Sequence, residues 1–124
     1  MTLRVYYEDT DLAGIVYYAN YLRFIERART EWARSLGIDQ ARLREEAGIV
    51  FAVRRVEADY LRPARFDDWL TVRTAVLERR PARLVLRQEV WRDAALLFGA
   101  VVTLVALGSD GRPQRLPPAL GEAG

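Results

Sequence analysis

The 124-residue sequence contains neither cysteine nor histidine. Without cysteine, the chain has no disulfide, no thiolate nucleophile and no cysteine-ligated zinc site. Without histidine, a Ser-His-Asp triad, a histidine general base and a histidine metal ligand are all excluded. Any acid–base catalysis therefore depends on aspartate, glutamate or tyrosine, with arginines and backbone amides as the available electrophiles.

Long apolar runs and lysine are absent as well. No apolar run reaches the roughly 18 residues that span a bilayer, and the N-terminal stretch lacks the apolar core of a signal peptide. We therefore expect a cytoplasmic protein without a membrane span. All 19 basic residues are arginines, but they alternate with acids and leave a formal net charge of only +2. Such dispersed charge is typical of a solvated surface and argues against direct nucleic-acid binding.

The residues that are present predict one globular domain over residues 1–124, with 51% hydrophobic and 29% charged residues. A strand is predicted over residues 2–7, a long helix over about 17–36 and a short helix over about 39–46. Asn20 and Asp39 are the candidate N-caps, and Gly37 and Gly48 the candidate C-terminal stops. The apolar stripe of the long helix is predicted to consist of Leu22, Ile25, Ala28 or Arg29, Trp32 and Leu36. The opposite, charged face carries Arg23, Glu26, Arg27, Glu31 and Arg34.

After Gly48 the hydrophobic period changes to two, which predicts four strands joined by short connections and therefore antiparallel. In the first of them Val56, Ala58 and Tyr60 are predicted to share one face. The last, "AALLFGAVVTLVALG", is apolar on both faces and is predicted to be a central strand. Residues 109–124 are predicted to form an irregular tail. One long helix on such a sheet is an α+β two-layer fold, and because no second helical layer covers the far side, we expect a homo-oligomer.

An acidic cluster, Glu8, Asp9 and Asp11, precedes the long helix in "YYEDTDLAGIVYYANY". One interpretation is a capped turn closed by Gly14. A second is a metal site, although the stretch lacks the spacing of a calcium loop and no distant carboxylate pair matches it. The third is a catalytic carboxylate beside a helix N-terminus, whose free amides stabilise a developing oxyanion. This third interpretation suits attack on an acyl carbonyl and needs no histidine.

The stretch "YYEDTDLAGIVYYANYLRFIERARTEW" resembles the N-terminal motif of the 4-hydroxybenzoyl-CoA thioesterase family of hot-dog proteins. It is most similar to the acyl-CoA thioesterase branch associated with the Tol-Pal gene cluster (YbgC type), whose motif is approximately D-T-D-x-x-G-V-V-Y-H-A-N-Y followed by a helix. The later "VEADYLRPARFDDWLTVRT" is similar to that branch's second and third strands. The resemblance implies a hot-dog fold, in which a curved antiparallel sheet wraps around one long helix. It also implies edge-to-edge dimers and hydrolysis of acyl-CoA without a cofactor or metal.

The resemblance assigns the family's catalytic aspartate to Asp11, as nucleophile or as general base on the hydrolytic water. It assigns the amide that polarises the thioester carbonyl to the backbone N–H of Tyr18, and it places Gly14 and Ile15 in the turn that approaches the substrate. Tyr18 stands where many relatives have histidine, as it does in the hydroxybenzoyl-specific relatives. The acyl group, aromatic or aliphatic, short or long, therefore stays open. Asn20 matches the motif's asparagine, for which we expect a structural role.

Further candidate residues follow from chemistry and position. Five tyrosines are interpreted as packing aromatics rather than acids, and each is also a candidate for lining an acyl pocket at a subunit boundary: Tyr6, Tyr7, Tyr17, Tyr21 and Tyr60. Arginine binds phosphate as a bidentate fork, so the candidates for the CoA phosphates are Arg54, Arg55, Arg62 and Arg65. Glu26 and Glu31 lie on the long helix, where another hot-dog subfamily has its catalytic acid; the neighbouring arginines favour surface ion pairs instead.

Two functions of different classes remain. The first is an acyl-CoA thioesterase, and the second is a non-catalytic hot-dog oligomer, dimer or tetramer, that binds acyl groups or acyl carrier protein. The intact D-T-D-x-x-G motif favours the enzyme. A hot-dog dehydratase is disfavoured, because that reaction relies on a histidine that this chain lacks.

Overall fold

The structure, a computed structural model, describes residues 1–121. The elements in chain order are β1 (Thr2–Arg4), a 3-10 turn (Tyr7–Asp9), α1 (Asn20–Ser35), α2 (Gln40–Ala47), β2 (Val50–Tyr60), β3 (Trp69–Arg79), β4 (Arg83–Arg92), β5 (Ala95–Leu107) and α3 (Pro118–Gly121). This order confirms the predicted strand, long helix, short helix and four strands. Of the helices in this part of the chain, none has the length and apolar character needed to cross a membrane.

The five strands form one antiparallel sheet in the order β1-β3-β4-β5-β2. β5 lies between β4 and β2, which confirms that the segment apolar on both faces is an interior strand. Val56, Ala58 and Tyr60 of β2 pair with Val102, Ala100 and Phe98 of β5, all of which are buried. These three β2 residues therefore share the helix-facing side of the sheet, as predicted. β2 forms one edge of this sheet, and its neighbour within the sheet is β5.

Helix α1 packs across β3 and β4 through a face that only partly matches the predicted stripe: Ile25 and Ala28 are buried as predicted, and Trp32 packs against the core. Its buried residues are Tyr21, Phe24, Ile25, Ala28 and Ala33. Leu22 and Leu36 are 41% and 40% exposed, so including them in the stripe that packs on the sheet was wrong. The physical reason is aromatic packing: the Tyr21 ring stacks on Phe98 with centroids 5.1 Å apart, and this turns the helix face away from Leu22.

The chain before α1 is more turned than predicted. The strand expected over residues 2–7 ends at Arg4, and the helix expected from residue 17 begins at Asn20. The cause is Asp9, whose carboxylate accepts a hydrogen bond from the Tyr6 amide at 2.8 Å and so closes the 3-10 turn. Asn20 is not an N-cap; its side-chain amide donates instead to the Asp9 carbonyl at 2.9 Å. The expected structural role of Asn20 is to tie the loop to the helix start.

The second helix and the two glycine stops match the prediction. The Asp39 side chain accepts a hydrogen bond from the Arg42 amide, and Gly37 and Gly48 take left-handed φ values of 80° and 66°. Within the predicted irregular tail, the structure places the short helix α3, whose Leu120 is buried against the core. Residues 122–124 of that tail lie outside the described part of the chain.

Candidate active site

The segment between the 3-10 turn and α1 is a tight, internally bonded loop. Thr10 bridges to Val16, and Ile15 bridges to Arg65 in the β2–β3 connection. The buried Val16 donates its amide to the Ala64 carbonyl at 2.8 Å. The loop is therefore fixed against the rest of the domain at its base, while its tip stands at the surface.

Asp11 lies at the start of that tip, and its carboxylate is held at one oxygen. Oδ1 accepts a hydrogen bond from the Ala13 amide at 2.8 Å, as in an Asx turn. The Asp11 carbonyl accepts from the Gly14 amide at 2.9 Å, and Gly14 has a φ of 77° that favours glycine. Oδ2 has no hydrogen-bond partner between residues 1 and 121, and Asp11 is exposed. The turn interpretation of the cluster thus describes how the carboxylate is oriented, and one oxygen remains available for chemistry.

The turn that leads into α1 presents a free backbone N–H a few residues after Asp11 in the sequence. The Asn20 amide donates to the Tyr17 carbonyl at 2.8 Å, so residues 17–20 form a β-turn that leads into the helix. The Tyr18 amide is the second position of this turn and donates to no acceptor in the described chain. A helix of 16 residues adds the positive end of its dipole at the same place. An unpartnered N–H of this kind is a ready donor for a substrate oxygen.

An open groove of about 280 Å³ lies beside this helix start. It is lined by Ile15, Val16, Tyr18, Tyr21, Tyr60, Leu61, Arg62 and Pro63. The Tyr60 hydroxyl donates to the Tyr18 carbonyl at 3.1 Å, which holds the end of β2 against the turn that carries the free amide. We call this depression the tyrosine groove. It is mostly apolar, with one guanidinium from Arg62 at its margin.

The pKa values of two tyrosines at or beside this groove are raised. The pKa of Tyr17 is raised above its ordinary value, first by the neighbouring Tyr18 and to a smaller extent by the charge of Asp11. The pKa of Tyr60 is raised mainly by burial and then by Tyr18. These hydroxyls are therefore neutral near pH 7, and the Tyr60 phenol keeps the proton that it donates to Tyr18.

The structure brings together some of the residues predicted for substrate binding and separates others. Tyr18, Ile15, Tyr60 and Arg62 meet at the tyrosine groove, while Gly14 and Tyr17 belong to the loop beside it. Arg54 lies at the irregularity in the β2–β5 register. Arg55 pairs with Thr103 on the side of the sheet opposite the helix and forms an ion pair with Glu57 at 3.2 Å. Both lie outside the groove of this chain, and Arg65 supports the groove through its backbone bridge to Ile15.

Of the side chains that build the floor of the groove, the sequence analysis named Tyr21 and missed Asp68 and Arg92. The buried Tyr21 hydroxyl accepts a hydrogen bond from the Ala64 amide at 2.9 Å, and Arg92 pairs with Asp68 at 2.8 Å while also reaching the Pro63 carbonyl. These contacts join α1, the β2–β3 connection and β4 beneath the groove. The signal for Tyr21 was the run of aromatic residues at the helix start, whereas Asp68 and Arg92 lie far apart in sequence and carry no local signal.

No metal site accompanies the acidic cluster in the described part of the chain. Among residues 1–121, no group of three or more aspartates and glutamates is placed to hold a metal ion. The Asp9 and Asp11 carboxylates are each engaged with backbone amides instead.

Comparison with known proteins identifies the architecture. The family model described as thioesterase superfamily matches residues 13–98. Acyl-CoA thioesterase YbgC of Haemophilus influenzae is 43% identical over 105 residues, covering 85% of this chain and 77% of the relative. Acyl-CoA thioester hydrolase YbgC of Escherichia coli is 39% identical over 120 residues, covering 95% and 89%.

Solved structures agree with these matches. A probable thioesterase from Bartonella henselae superposes with a TM-score of 0.89 at 35% identity, covering 94% of this chain and 97% of the other. An aspartate-to-asparagine mutant of 4-hydroxybenzoyl CoA thioesterase, complexed with 4-hydroxybenzoyl CoA, superposes with a TM-score of 0.89 at 29% identity, covering 94% and 91%. The predicted α+β hot-dog fold and the family resemblance are thereby confirmed.

Proposed function

The chain belongs to the thioesterase superfamily, and on this premise we propose that it is a thioester hydrolase that cleaves acyl-CoA with Asp11 and the Tyr18 amide as its catalytic groups. The observation that carries the proposal is that the Asp11 carboxylate and the Tyr18 amide lie in the same hydrogen-bonded loop before α1. Asp11 has one oriented and one free carboxylate oxygen, and seven residues later the helix start offers an amide without a partner.

The reaction assigns a distinct part to each group. The thioester carbonyl oxygen accepts a hydrogen bond from the Tyr18 amide, which stabilises the negative charge that develops on that oxygen. As a nucleophile, Asp11 attacks the carbonyl carbon and the C–S bond breaks, which leaves a mixed anhydride between Asp11 and the acyl group. CoA gains a proton and leaves as its thiol, and water then hydrolyses the anhydride. As a general base, Asp11 takes a proton from a water that attacks the same carbon. Both routes consume one water and yield a free acid and CoA.

The acyl group occupies the tyrosine groove in this proposal, with Ile15, Tyr17 and Tyr60 around it. Arg62 lies at the groove and is the first choice for a CoA phosphate contact, because a guanidinium binds phosphate as a bidentate fork. Arg54 and Arg55 lie outside this groove, so we propose that they contact CoA bound across a second copy of the chain.

We expect hydrolysis of acyl-CoA without added metal, because no ligand set for a metal occurs in the described residues. The test is free-thiol detection on a panel of aliphatic and aromatic acyl-CoA thioesters and one acyl carrier protein thioester. Turnover should be unchanged in EDTA. Turnover that is lost in EDTA and restored by a divalent ion would contradict the metal-free mechanism, and binding of the panel without turnover would favour the non-catalytic alternative.

We further propose that the active enzyme is a homodimer or homotetramer, assembled through β2. This eleven-residue edge strand exposes Val50, Val53 and Val56, and a long apolar edge is a template for pairing with another strand. Light scattering at micromolar concentration should give at least twice the 14.2 kDa mass of the chain. An active species with the mass of one chain would overturn the assembly.

A further inference from the structure

The backbone carbonyl of Tyr18, just before α1, receives its hydrogen bond from a side chain and not from the helix. In a regular α-helix each carbonyl accepts from the amide four residues later, which here would be the amide of Leu22. That amide donates instead to the Ala19 carbonyl, three residues back, at 3.2 Å. Within residues 1–121 the donor to the Tyr18 carbonyl is the Tyr60 hydroxyl, at 3.1 Å. The Tyr60 hydroxyl therefore takes the place of the next helical hydrogen bond.

Among the described residues, no side chain caps the start of α1. The N-cap position, Ala19, makes no side-chain cap and already has helical φ and ψ values of −69° and −20°. Asn20, the first helical residue, directs its side-chain amide to the Asp9 carbonyl. A rotation of the peptide between Tyr18 and Ala19 is then enough to bond the Tyr18 carbonyl to the Leu22 amide and lengthen the helix by one residue. The Tyr60 hydroxyl competes with this longer helix for the same carbonyl.

The Tyr60 side chain is fixed from the sheet and not from the helix. Tyr60 is the last residue of β2 and pairs with Phe98 of β5, and the next amide, that of Leu61, donates to the Leu97 carbonyl at 2.8 Å. The Tyr60 ring contacts the rings of Tyr21 and Phe98 edge to face, with centroids 5.6 and 5.0 Å apart. Because both its backbone and its ring are held, the phenol gives its hydroxyl a defined place at the helix start.

We propose that Tyr60 is a positioning residue, whose hydroxyl stops α1 one residue short and thereby keeps the Tyr18 N–H directed at the tyrosine groove. The catalytic consequence rests on the proposed function. Free amides at a helix N-terminus point along the helix axis, so a longer helix would turn the Tyr18 N–H toward that axis. A donor for a developing oxyanion acts only when it is aimed at the place of that oxygen, and a small displacement lowers the rate. The Tyr60 hydroxyl itself touches no reacting atom in this scheme.

A crystal structure of Tyr60→Phe tests the helix start without any hydrolysis. Phenylalanine keeps the ring contacts and removes only the hydroxyl, so the fold should persist. The Leu22 amide nitrogen should then lie about 2.7–3.2 Å from the Tyr18 carbonyl oxygen, and α1 should begin one residue earlier. If the Leu22 amide still donates to the Ala19 carbonyl, the proposal is wrong, whether or not the chain proves to be a hydrolase.

Steady-state kinetics with acyl-CoA measure the consequence for catalysis. Tyr60→Phe should lower kcat about five- to tenfold, the equivalent of one neutral hydrogen bond, and leave KM within about twofold of wild type. Ser35→Ala is the control: it removes a hydroxyl hydrogen bond to a backbone carbonyl, that of Trp32, at the far end of the same helix, and should change neither constant. A raised KM with unchanged kcat would mean that the Tyr60 hydroxyl binds substrate, and would overturn the positioning role.

Combination with Tyr18→Pro separates positioning from a general loss of structure. Proline at residue 18 lacks the N–H that the Tyr60 hydroxyl is proposed to direct, so Tyr60→Phe should lower kcat no further in that background. Independent losses that multiply in the double variant, with all variants folded, would show that Tyr60 does not act through the Tyr18 amide. If Tyr18→Pro lowers kcat while Tyr60→Phe leaves it unchanged, the proposed function stands and this inference falls.

Discussion

Replacement of Asp11 by asparagine should lower kcat for acyl-CoA hydrolysis at least about 100-fold, the low end of what loss of acid–base assistance costs. Asparagine retains a side-chain oxygen that accepts the Ala13 amide, so the turn that Asp11 forms should survive. The substitution removes the negative charge and the second carboxylate oxygen, on which both nucleophilic attack and proton abstraction depend. Thiol release under saturating substrate measures the effect, with thermal unfolding as a check on the fold.

Asp9→Asn is the matched control for this substitution. Asp9 is two residues away and its carboxylate is already occupied by the Tyr6 amide, a contact that asparagine preserves. Its kcat should stay within a few-fold of wild type. If Asp11→Asn also remained within a few-fold, with folding and substrate binding intact, the cluster would be a structural turn only and the mechanism would be wrong.

The second large effect should come from deletion of the Tyr18 amide by Tyr18→Pro. Tyr18 occupies the second position of the 17–20 turn, the place that proline prefers in turns of types I and II. Proline has no N–H, so the donor for the developing oxyanion disappears while the turn can still form. Loss of one such donor typically costs about 100-fold or more in kcat.

Tyr18→Ala separates the amide from the phenol ring. Alanine keeps the N–H but loses the ring contacts with Tyr17 and Tyr60. The turnover of Tyr18→Pro should therefore lie about 100-fold below that of Tyr18→Ala. Equal rates in the two variants, both folded, would show that the backbone amide has no part in the reaction.

Much of the fold was predictable because its signals are local. The change of period after Gly48, the Asp39 cap and the left-handed glycines each depend on a few neighbouring residues, and the structure has them as expected. The face of α1 was predicted less well, since Leu22 and Leu36 fit a helical stripe as well as Tyr21 and Phe24 do. The choice between the two sets is made by Phe98, more than seventy residues away in sequence, whose ring stacks on Tyr21.

For the proposed site, the family motif is the reason for assigning Asp11 and Tyr18, but spacing alone did not show how the groove is closed. The Tyr60 hydroxyl and the Ala64 amide reach the helix start only after β2 and its following connection return to it. Similarly, Glu26 was interpreted as a surface ion-pairing residue from its neighbouring arginines. In the structure its carboxylate contacts Thr30 and lines a cavity against α1, whereas Glu31 does pair with Arg34.

The most direct test of the account is a crystal structure of Asp11→Asn with an intact acyl-CoA. A relative bearing an aspartate-to-asparagine substitution has been crystallised with its own thioester, so the experiment is practicable. We expect the thioester oxygen about 2.7–3.1 Å from the Tyr18 amide nitrogen, with the residue 11 side chain facing the carbonyl carbon. A thioester bound with its oxygen directed away from Tyr18, or with residue 11 turned from the carbonyl, would contradict it.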